Sequence, residues 1–325
     1  MNFIKANAPK QNAASVYPHN KLGGELVLQK HRWMPMKLLS RDELSEDTRN
    51  YTFQLPEHKA VLGLGTCQHI QIGFHLEDKM LIRSYTPTSP LLPAPKGTSD
   101  QIDDKSVNRN GGNGVNRTNG DKHKDHDLHD GHGTLTLTVK TYFPTDAQPG
   151  GAMSNILDLM PLGEEVEVRG PTGDIVYNGN GAFVIDDKER SFKRVSLVLG
   201  GSGITPGYSL LARILLSDGD KTEIRVVNAN KSEDDILLRE QLDEFERNAN
   251  GQCKITHILS HPSDQWKGKK GHINADIIKG ALFEPGKDSV TFLCGPSAMV
   301  QKAALPALRG MCDFQYVMTV NKILT

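Results

Sequence analysis

Arg83-Ser84-Tyr85-Thr86-Pro87 closes an apolar, strand-like run, MLIRSY. These residue types suit a flavin: the arginine can pair with a pyrophosphate, the aromatic ring can lie against an isoalloxazine, and a hydroxyl can bond the ring. An ordinary strand end with a turn proline has the same composition, so the motif needs company. Gly150-Gly151-Ala152-Met153-Ser154-Asn155 supplies some, because two glycines permit close backbone approach and Ser154 or its neighbours open a short helix. A helix N-terminus offers unpaired N–H groups and partial positive charge to a phosphate, although without a ligand the same residues make a plain loop-to-helix cap. Between the two motifs, Thr138, Lys140, Tyr142 and Phe143 lie along TLTVKTYF and could border the same site. Alternation of that kind is also what any half-buried strand shows.

A second pair of motifs lies further along. Leu199-Gly200-Gly201-Ser202-Gly203-Ile204-Thr205-Pro206-Gly207 follows an apolar run and precedes a helical one. Glycines there let a turn approach a dinucleotide pyrophosphate, and Pro206 is tolerated at a first helical position because its missing N–H has no partner there. Proline replaces the last glycine of the G-x-G-x-x-G pattern, so the flanking strand and helix carry the reading. Leu293-Cys294-Gly295-Pro296 ends the last apolar run, where the ligand crevices of open α/β sheets lie. Cys294 is therefore a candidate to line such a crevice; a buried structural thiol is the alternative.

Rigid elements must hold these groups in place. From Glu25 to about Val184 the runs ELVLQ, YTFQL, HIQIGF, MLIRSY, TLTLTVKTYF, EVEVRG and GDIVY are separated by turn residues, which predicts an antiparallel barrel or sandwich. After Arg194 strand-like VSLVLG, EIRVVNA, KITHILS and SVTFLCG alternate with helical segments, one from Pro206 and one around DDILLREQLDEFERN. That order predicts parallel β-α-β units, with the boundary in the charged stretch DDKERSFKR near residues 185–194. Residues 1–23 read as a flexible tail. Residues 90–132, dominated by Asn, Gly, Asp, Lys, His and Ser, hold too little apolar area to offset ordering and are expected to be a disordered insertion. Within it His123, His126, His129 and His132 recur every three residues, a spacing for metal that nothing nearby preorganises, and a solvated loop is the favoured reading. Asn116-Arg117-Thr118 fits a glycosylation sequon and is expected to be idle in a chain without a secretory signal.

Composition narrows the function classes. At 325 residues two domains are expected, and 38 basic against 39 acidic residues leave a net charge of -1, with no basic excess for a nucleic-acid partner. Cys67, Cys253, Cys294 and Cys312 form no C-x-x-C pair, and the N-terminus has no signal-like apolar core. With a mean hydropathy of -0.45 and no apolar run of membrane-spanning length, the expectation is a soluble, cytoplasmic protein without membrane contact.

Taken in order, DAQPGGAMSNILDLMPLGEEVEVRGPTGDIVYNG, LGGSGITPGYSLLARILL, ANKSEDDILLRE, LSHPSDQWKG and LCGPSAMVQKAALPAL resemble the ferredoxin-reductase-like flavoproteins. Within them the likeness is to the cytochrome b5 reductase group, and in particular to the flavin module of eukaryotic, fungal-type assimilatory nitrate reductase. The resemblance implies an antiparallel β-barrel FAD domain over 24–184 and an α/β parallel-sheet NAD(P)-binding domain over 195–325. It implies that Arg83, Ser84, Tyr85, Thr86, Thr138, Lys140 and Phe143 border FAD, that Gly151, Met153 and Ser154 hold its pyrophosphate, and that Thr205 approaches from the second domain. Gly201 and Gly203 would receive NADPH or NADH, and Cys294 would align the nicotinamide, with Tyr85 and Thr86 beside the reacting ring. NADH-preferring relatives carry an aspartate where this chain has Ser260, followed by His261, with Lys231 nearby; that substitution favours NADPH. The implied reaction takes hydride from NAD(P)H and passes single electrons to a cytochrome b5-type heme domain or protein, with a molybdenum nitrate-reducing domain as a possible further partner. A free-standing NAD(P)H-cytochrome b5 reductase and a non-catalytic module that keeps the fold are the alternatives. The chain departs from the family pattern at Ala152, where many members have lysine, at Cys67, a frequent glycine, and after about Ala307, which puts the last strand in question.

Overall fold

The computed structural model describes residues 26–56, 62–91, 133–146 and 149–310, with the backbone of Val317–Thr319. The tail 1–23, residues 92–132 of the expected insertion with its spaced histidines and Asn116, and Cys312 lie outside the described residues.

Six strands, β1 (Met34–Ser45), β2 (Thr48–Gln54), β3 (His69–Leu76), β4 (Lys79–Tyr85), β5 (Thr134–Lys140) and β6 (Glu165–Thr172), form an antiparallel sheet in the order β4-β3-β6-β1-β2-β5. Alternation sends Met36, Leu38, Tyr51, Phe53, Ile70, Ile72, Leu135 and Leu137 inward as one core. The sheet closes on itself just past β4, where the Thr88 N–H donates to the Thr136 carbonyl and the Thr136 N–H to the Ser89 carbonyl, both at 2.9 Å. The motif Arg83–Pro87 therefore runs along the closing seam. Helix α1 (Ala152–Leu159) touches β4 and buries Met153 and Leu157, one turn apart, in the barrel core. Two differences from the sequence expectation stand out. Among the described residues of ELVLQ, Leu26–Gln29, there is no strand but only isolated bridges at Leu26 and Gln29, because Val27 and Leu28 pack into the core from a loop. The twelve-residue β1 carries no apolar alternation after Leu38, where bulges shift its register.

The charged stretch DDKERSFKR is a hairpin. Strands β7 (Ile175–Gly179), β8 (Ala182–Ile185) and β9 (Lys188–Ser191) make a three-stranded ribbon, and Asp186 and Asp187 form its tight turn with φ of 47° and 60°. Its aromatics serve the second sheet's core, with the Phe183 ring 4.7 Å from Tyr177 and 5.4 Å from Phe292. The Tyr177 hydroxyl donates to Asp220 at 2.6 Å, and the Asn180 N–H donates to the same carboxylate at 2.9 Å.

The second sheet is parallel, in the order β13-β12-β11-β10-β14-β15, from β10 (Arg194–Gly200), β11 (Glu223–Asn230), β12 (Cys253–Leu259), β13 (Lys269–Lys270), β14 (Ser289–Cys294) and β15 (Val317–Thr319). Its central strands are buried on both faces, as covering helices require. Helices α2 (Ile204–Leu215) and α3 (Arg239–Asn248) cover one face. The other is covered by α4 (Ala275–Ala281) and by a last helix that runs through α5 (Ser297–Met299), a π-helical segment at Val300–Ala304 and α6 (Leu305–Arg309). Helix α3 begins at Arg239, later than DDILLREQ suggests, because Ile236 and Leu237 turn inward and Asp235 is bound to Ser232. The unusual C-terminus does supply a final strand, β15, paired with β14 from Thr291 opposite Val317. Among the described residues no helix is long and apolar enough to cross a membrane.

Candidate active site at the barrel seam and the strand ends

Arg83 and Ser84 are exposed at the end of β4, Tyr85 is half-buried against the barrel core, and Thr86 is buried. The Arg83 guanidinium donates to the neighbouring Ile82 carbonyl at 2.8 Å. Burial holds the Tyr85 phenol well above its usual range, so it stays neutral. Across the seam Thr138 is buried, with its hydroxyl donating to Asn50 Oδ1 at 2.8 Å and lying 2.9 Å from the Thr88 hydroxyl. That hydroxyl is already engaged within the barrel. Lys140, at the exit of β5, bonds Asp235 at 2.6 Å and also Asp47.

The chain leaving β5 is tied to the start of α1. The Gly151 N–H donates to the Tyr142 carbonyl at 2.8 Å, the Tyr142 N–H donates to Ser154 Oγ at 3.2 Å, and Asn155 Nδ2 donates to both the Tyr142 and Gly151 carbonyls at 2.8 Å. No side chain caps α1, and Tyr142 and Phe143 stand exposed beside it. Met153 points the other way, into the core, so any contact it makes with a phosphate is through its backbone. The seam thus combines an exposed guanidinium, a helix N-terminus free of side-chain caps, and aromatic rings. This donor set fits an anionic dinucleotide with a flat ring, as FAD is.

The other half of the site is the carboxyl edge of the parallel sheet. Leu199 and Cys294 are paired neighbours at the ends of β10 and β14. The turn that follows β10 lies so close to β14 that a methyl group built on Gly203 would stand 2.4 Å from the Cys294 carbonyl oxygen and 2.7 Å from the Gly295 nitrogen. Only glycine fits there. Gly201 differs: its φ is +52°, and nothing lies within 4 Å of an added methyl group, so its side faces open space above the strand ends. Thr205, in the first turn of α2, is buried and donates to the Ser202 carbonyl at 3.2 Å. The Cys294 thiol is buried and pushed up to about 12 by burial, which keeps it protonated and rules out a thiolate nucleophile near neutral pH. The ends of β11 and β12 are zipped together, with the Ser260 N–H donating to the Asn230 carbonyl at 3.1 Å and the His261 N–H to the Lys231 carbonyl at 2.7 Å. The Ser260 hydroxyl lies 2.9 Å from His261 Nδ1, and the Lys231 and His261 side chains are exposed at this corner.

The structure brings Arg83, Ser84, Tyr85, Thr86, Thr138, Lys140, Phe143, Gly151, Met153 and Ser154 to one seam, and Gly201, Gly203, Thr205 and Cys294 to one strand edge; Ser260 sits at the corner of that edge. Asp47 and Asp235, which fix Lys140, were not legible in sequence: Asp235 lies 95 residues from its partner, and nothing in the segment ANKSEDDILLRE that contains it announces the contact.

A family model described as an oxidoreductase FAD-binding domain matches residues 35–101 and 124–177, and one described as an oxidoreductase NAD-binding domain matches 197–304. NADH-cytochrome b5 reductase 2 of Danio rerio is 34% identical over 306 residues, 91% of this chain and 86% of the relative. The NADPH nitrate reductase of Aspergillus niger is 34% identical over 278 residues, 85% of this chain but only 28% of that much longer protein. The crystal structure of the cytochrome b5 reductase domain of Ulva prolifera nitrate reductase superposes with a TM-score of 0.75 at 27% identity, over 90% of this chain and 99% of that one. Homology of this extent, over 86% of the Danio rerio reductase, places the chain in the cytochrome b5 reductase family of FAD-dependent NAD(P)H oxidoreductases.

Proposed function

We propose that the seam holds FAD, that the strand edge holds NADPH or NADH, and that the chain passes electrons from the nucleotide to a cytochrome b5-type heme. The observation that carries this reading is the proximity of the two halves: a residue of the seam, Lys140, bonds a residue beyond the end of β11, Asp235, at 2.6 Å. Arg83, with the N–H groups of Met153 and Ser154, would take the FAD pyrophosphate, and Gly151, whose own N–H is engaged by the Tyr142 carbonyl, would let the backbone come close to it. Tyr85 would lie against the ring, with Ser84, Thr86, Phe143 and Thr205 bordering it. Thr138 and Lys140 would act from behind this first layer, since their polar groups are engaged within the protein. When bound, FAD supplies an acceptor for two electrons that can release them singly.

The protein's own work is orientation and exclusion of water. Gly201 and Gly203 would admit the nucleotide to the strand ends, and the neutral Cys294 thiol would pack beside the nicotinamide without competing as a nucleophile. Ser260, with His261 and Lys231, presents hydroxyl, imidazole and ammonium groups where a carboxylate would repel a 2′-phosphate, which supports use of NADPH.

The chain spans between 26% and 39% of the length of the nitrate reductases it matches. Nitrate reduction would therefore need a heme domain and a molybdenum domain supplied by other parts of a longer protein or by separate partners, in the cytoplasm. The second reading, a free-standing NAD(P)H-cytochrome b5 reductase, is favoured by the near-complete match to the Danio rerio enzyme. One experiment tests the shared core of both: reduced nucleotide should bleach a yellow flavin band in the purified chain, and cytochrome b5 or ferricyanide should restore it. Restoration by nitrate alone would sink the division of labour, and a colourless chain that takes up no FAD would sink the reductase reading.

A further inference from the structure

Asp235 belongs to the turn after β11, on the edge where the nucleotide would arrive, and it reaches across to the barrel. Its two carboxylate oxygens have separate partners. Oδ2 accepts from the Ser232 N–H at 2.9 Å and the Ser232 hydroxyl at 2.7 Å, which pins the turn, while Oδ1 accepts from the Lys140 ammonium at 2.6 Å. Lys140 is also bonded to Asp47, in the turn between β1 and β2, and the Asp47 carbonyl accepts from the Thr141 N–H at 2.6 Å. The next residue, Tyr142, holds Gly151, Ser154 and Asn155 at the start of α1. Three consecutive residues thus join the nucleotide-side turn, the barrel edge and the helix that would face the flavin phosphates.

The bridge is sheltered, with the Lys140 and Asp235 side chains only 14% and 20% exposed, so water and salt screen it weakly. Partial burial works against both charges, yet the pairing outweighs it: hydrogen bonds to Asp235 and Asp47 hold the Lys140 ammonium above its ordinary pKa, and Lys140 with Ser232 holds the Asp235 carboxyl below its own.

We propose that the Lys140–Asp235 bridge sets the spacing between the nucleotide edge and the flavin seam, which makes Asp235 a positioning residue for hydride transfer. The proposal rests on the reductase reading above. Asp235 need touch neither reacting group, because transfer between two bound rings is steeply sensitive to small displacements of either one. Asp47 provides the internal control: it bonds the same ammonium but belongs to the barrel, so it cannot hold one domain against the other.

The test is single-turnover reduction of FAD by NADPH and by NADH, followed by stopped-flow absorbance in the full chain. The variants are Asp235→Asn, Lys140→Met, the double variant, Asp47→Asn and Ser232→Ala. Asp235→Asn should lower the limiting reduction rate about ten-fold with the half-saturating nucleotide concentration within about two-fold and FAD content unchanged. Lys140→Met should lower the rate similarly, and the double variant should be no slower than the slower single, as expected for two partners in one interaction. Asp47→Asn should stay within about three-fold of the parent, and Ser232→Ala, which frees the turn but keeps both charges, should show a smaller loss of the same kind. A parent-like rate in Asp235→Asn, or single losses that multiply in the double variant, would overturn the proposal. So would loss of FAD or of folding in Asp235→Asn, because the bridge would then be holding the protein together and not setting a distance. If the parent chain shows no bleaching at all, the reductase reading fails first and the bridge's role in transfer falls with it.

Discussion

Replacing Gly203 with alanine tests the most demanding contact in the site. The added methyl group would meet the Cys294 carbonyl oxygen at 2.4 Å, the carbonyl carbon at 2.5 Å and the Gly295 nitrogen at 2.7 Å, all backbone atoms that cannot rotate aside. Those distances are roughly 1 Å short of ordinary van der Waals contact, so the turn after β10 must lift from the end of β14. Overpacking of this kind costs about 2–3 kcal/mol, and more when backbone has to move. For a domain of this size that corresponds to a fall in Tm of about 4–12 °C for the nucleotide-binding half. Gly201→Ala is the matched control: its methyl group meets nothing within 4 Å, and the cost is confined to the left-handed backbone, about 1 kcal/mol. Thermal unfolding followed by circular dichroism, with flavin release recorded in parallel, separates the two. Gly203→Ala should melt well below both the parent and Gly201→Ala, and its flavin should remain bound until the barrel melts. Equal melting of Gly203→Ala and the parent, or a larger loss in Gly201→Ala, would refute the argument that the two strand ends are in backbone contact.

Three further outcomes can be measured. Cys294→Ser should lower kcat by about ten-fold or more while leaving FAD stoichiometry intact, since the residue lies at a strand end of the nucleotide-binding sheet and not in the barrel; loss of flavin with unfolding would show it to be a structural thiol. Ser260→Asp should reduce the ratio of kcat/KM for NADPH over NADH by roughly ten-fold, and an unmoved ratio, or a parent that strongly prefers NADH, would refute the assignment of that corner to the 2′-phosphate. Stability should fall as pH drops below about 6.5, because burial holds the folded pKa of His69 and His257 below the unfolded value, and the stability present above that value is lost as the two rings are forced to take protons. His257→Gln, which cannot titrate, should flatten part of that fall in a series of melts from pH 5 to 8, and an unchanged slope would count against it.

The barrel was legible wherever its strands alternate. TLTLTVK places Leu135, Leu137 and Val139 inward without ambiguity, and HIQIGF similarly announces β3 with Ile70 and Ile72. Strand β1 was not, since its second half is charged, solvent-facing and bulged, and only its pairing with β2 keeps that half extended. ELVLQ misled in the opposite sense: Val27 and Leu28 are buried, but from a loop whose backbone finds few ladder partners. DDKERSFKR reads as a junction because seven of its nine residues are charged, and charge marks exposure without saying what shape the backbone takes. The paired aspartates adopt positive φ and turn the chain back, while Phe192 at the end of the same stretch is buried in the neighbouring core.

The site shows a sharper division. Each motif could be recognised by itself, because the chemistry of a phosphate or an aromatic ring selects residue types that lie close together in sequence. What joins the motifs could not be recognised. The glycine turn and the Cys294 segment lie about ninety residues apart and meet only because β10 and β14 are neighbours in a parallel sheet, a pairing that skips the three strands between them. The requirement for glycine at position 203 is set by that neighbour and not by the dinucleotide alone. Lys140 and Asp235 carry the same lesson across domains, since neither residue is unusual in its own segment and their meaning comes from a contact of 2.6 Å. Residues that bind a cofactor are written locally, whereas residues that set the distance between two cofactors depend on the packing of distant elements, and only the folded chain displays them.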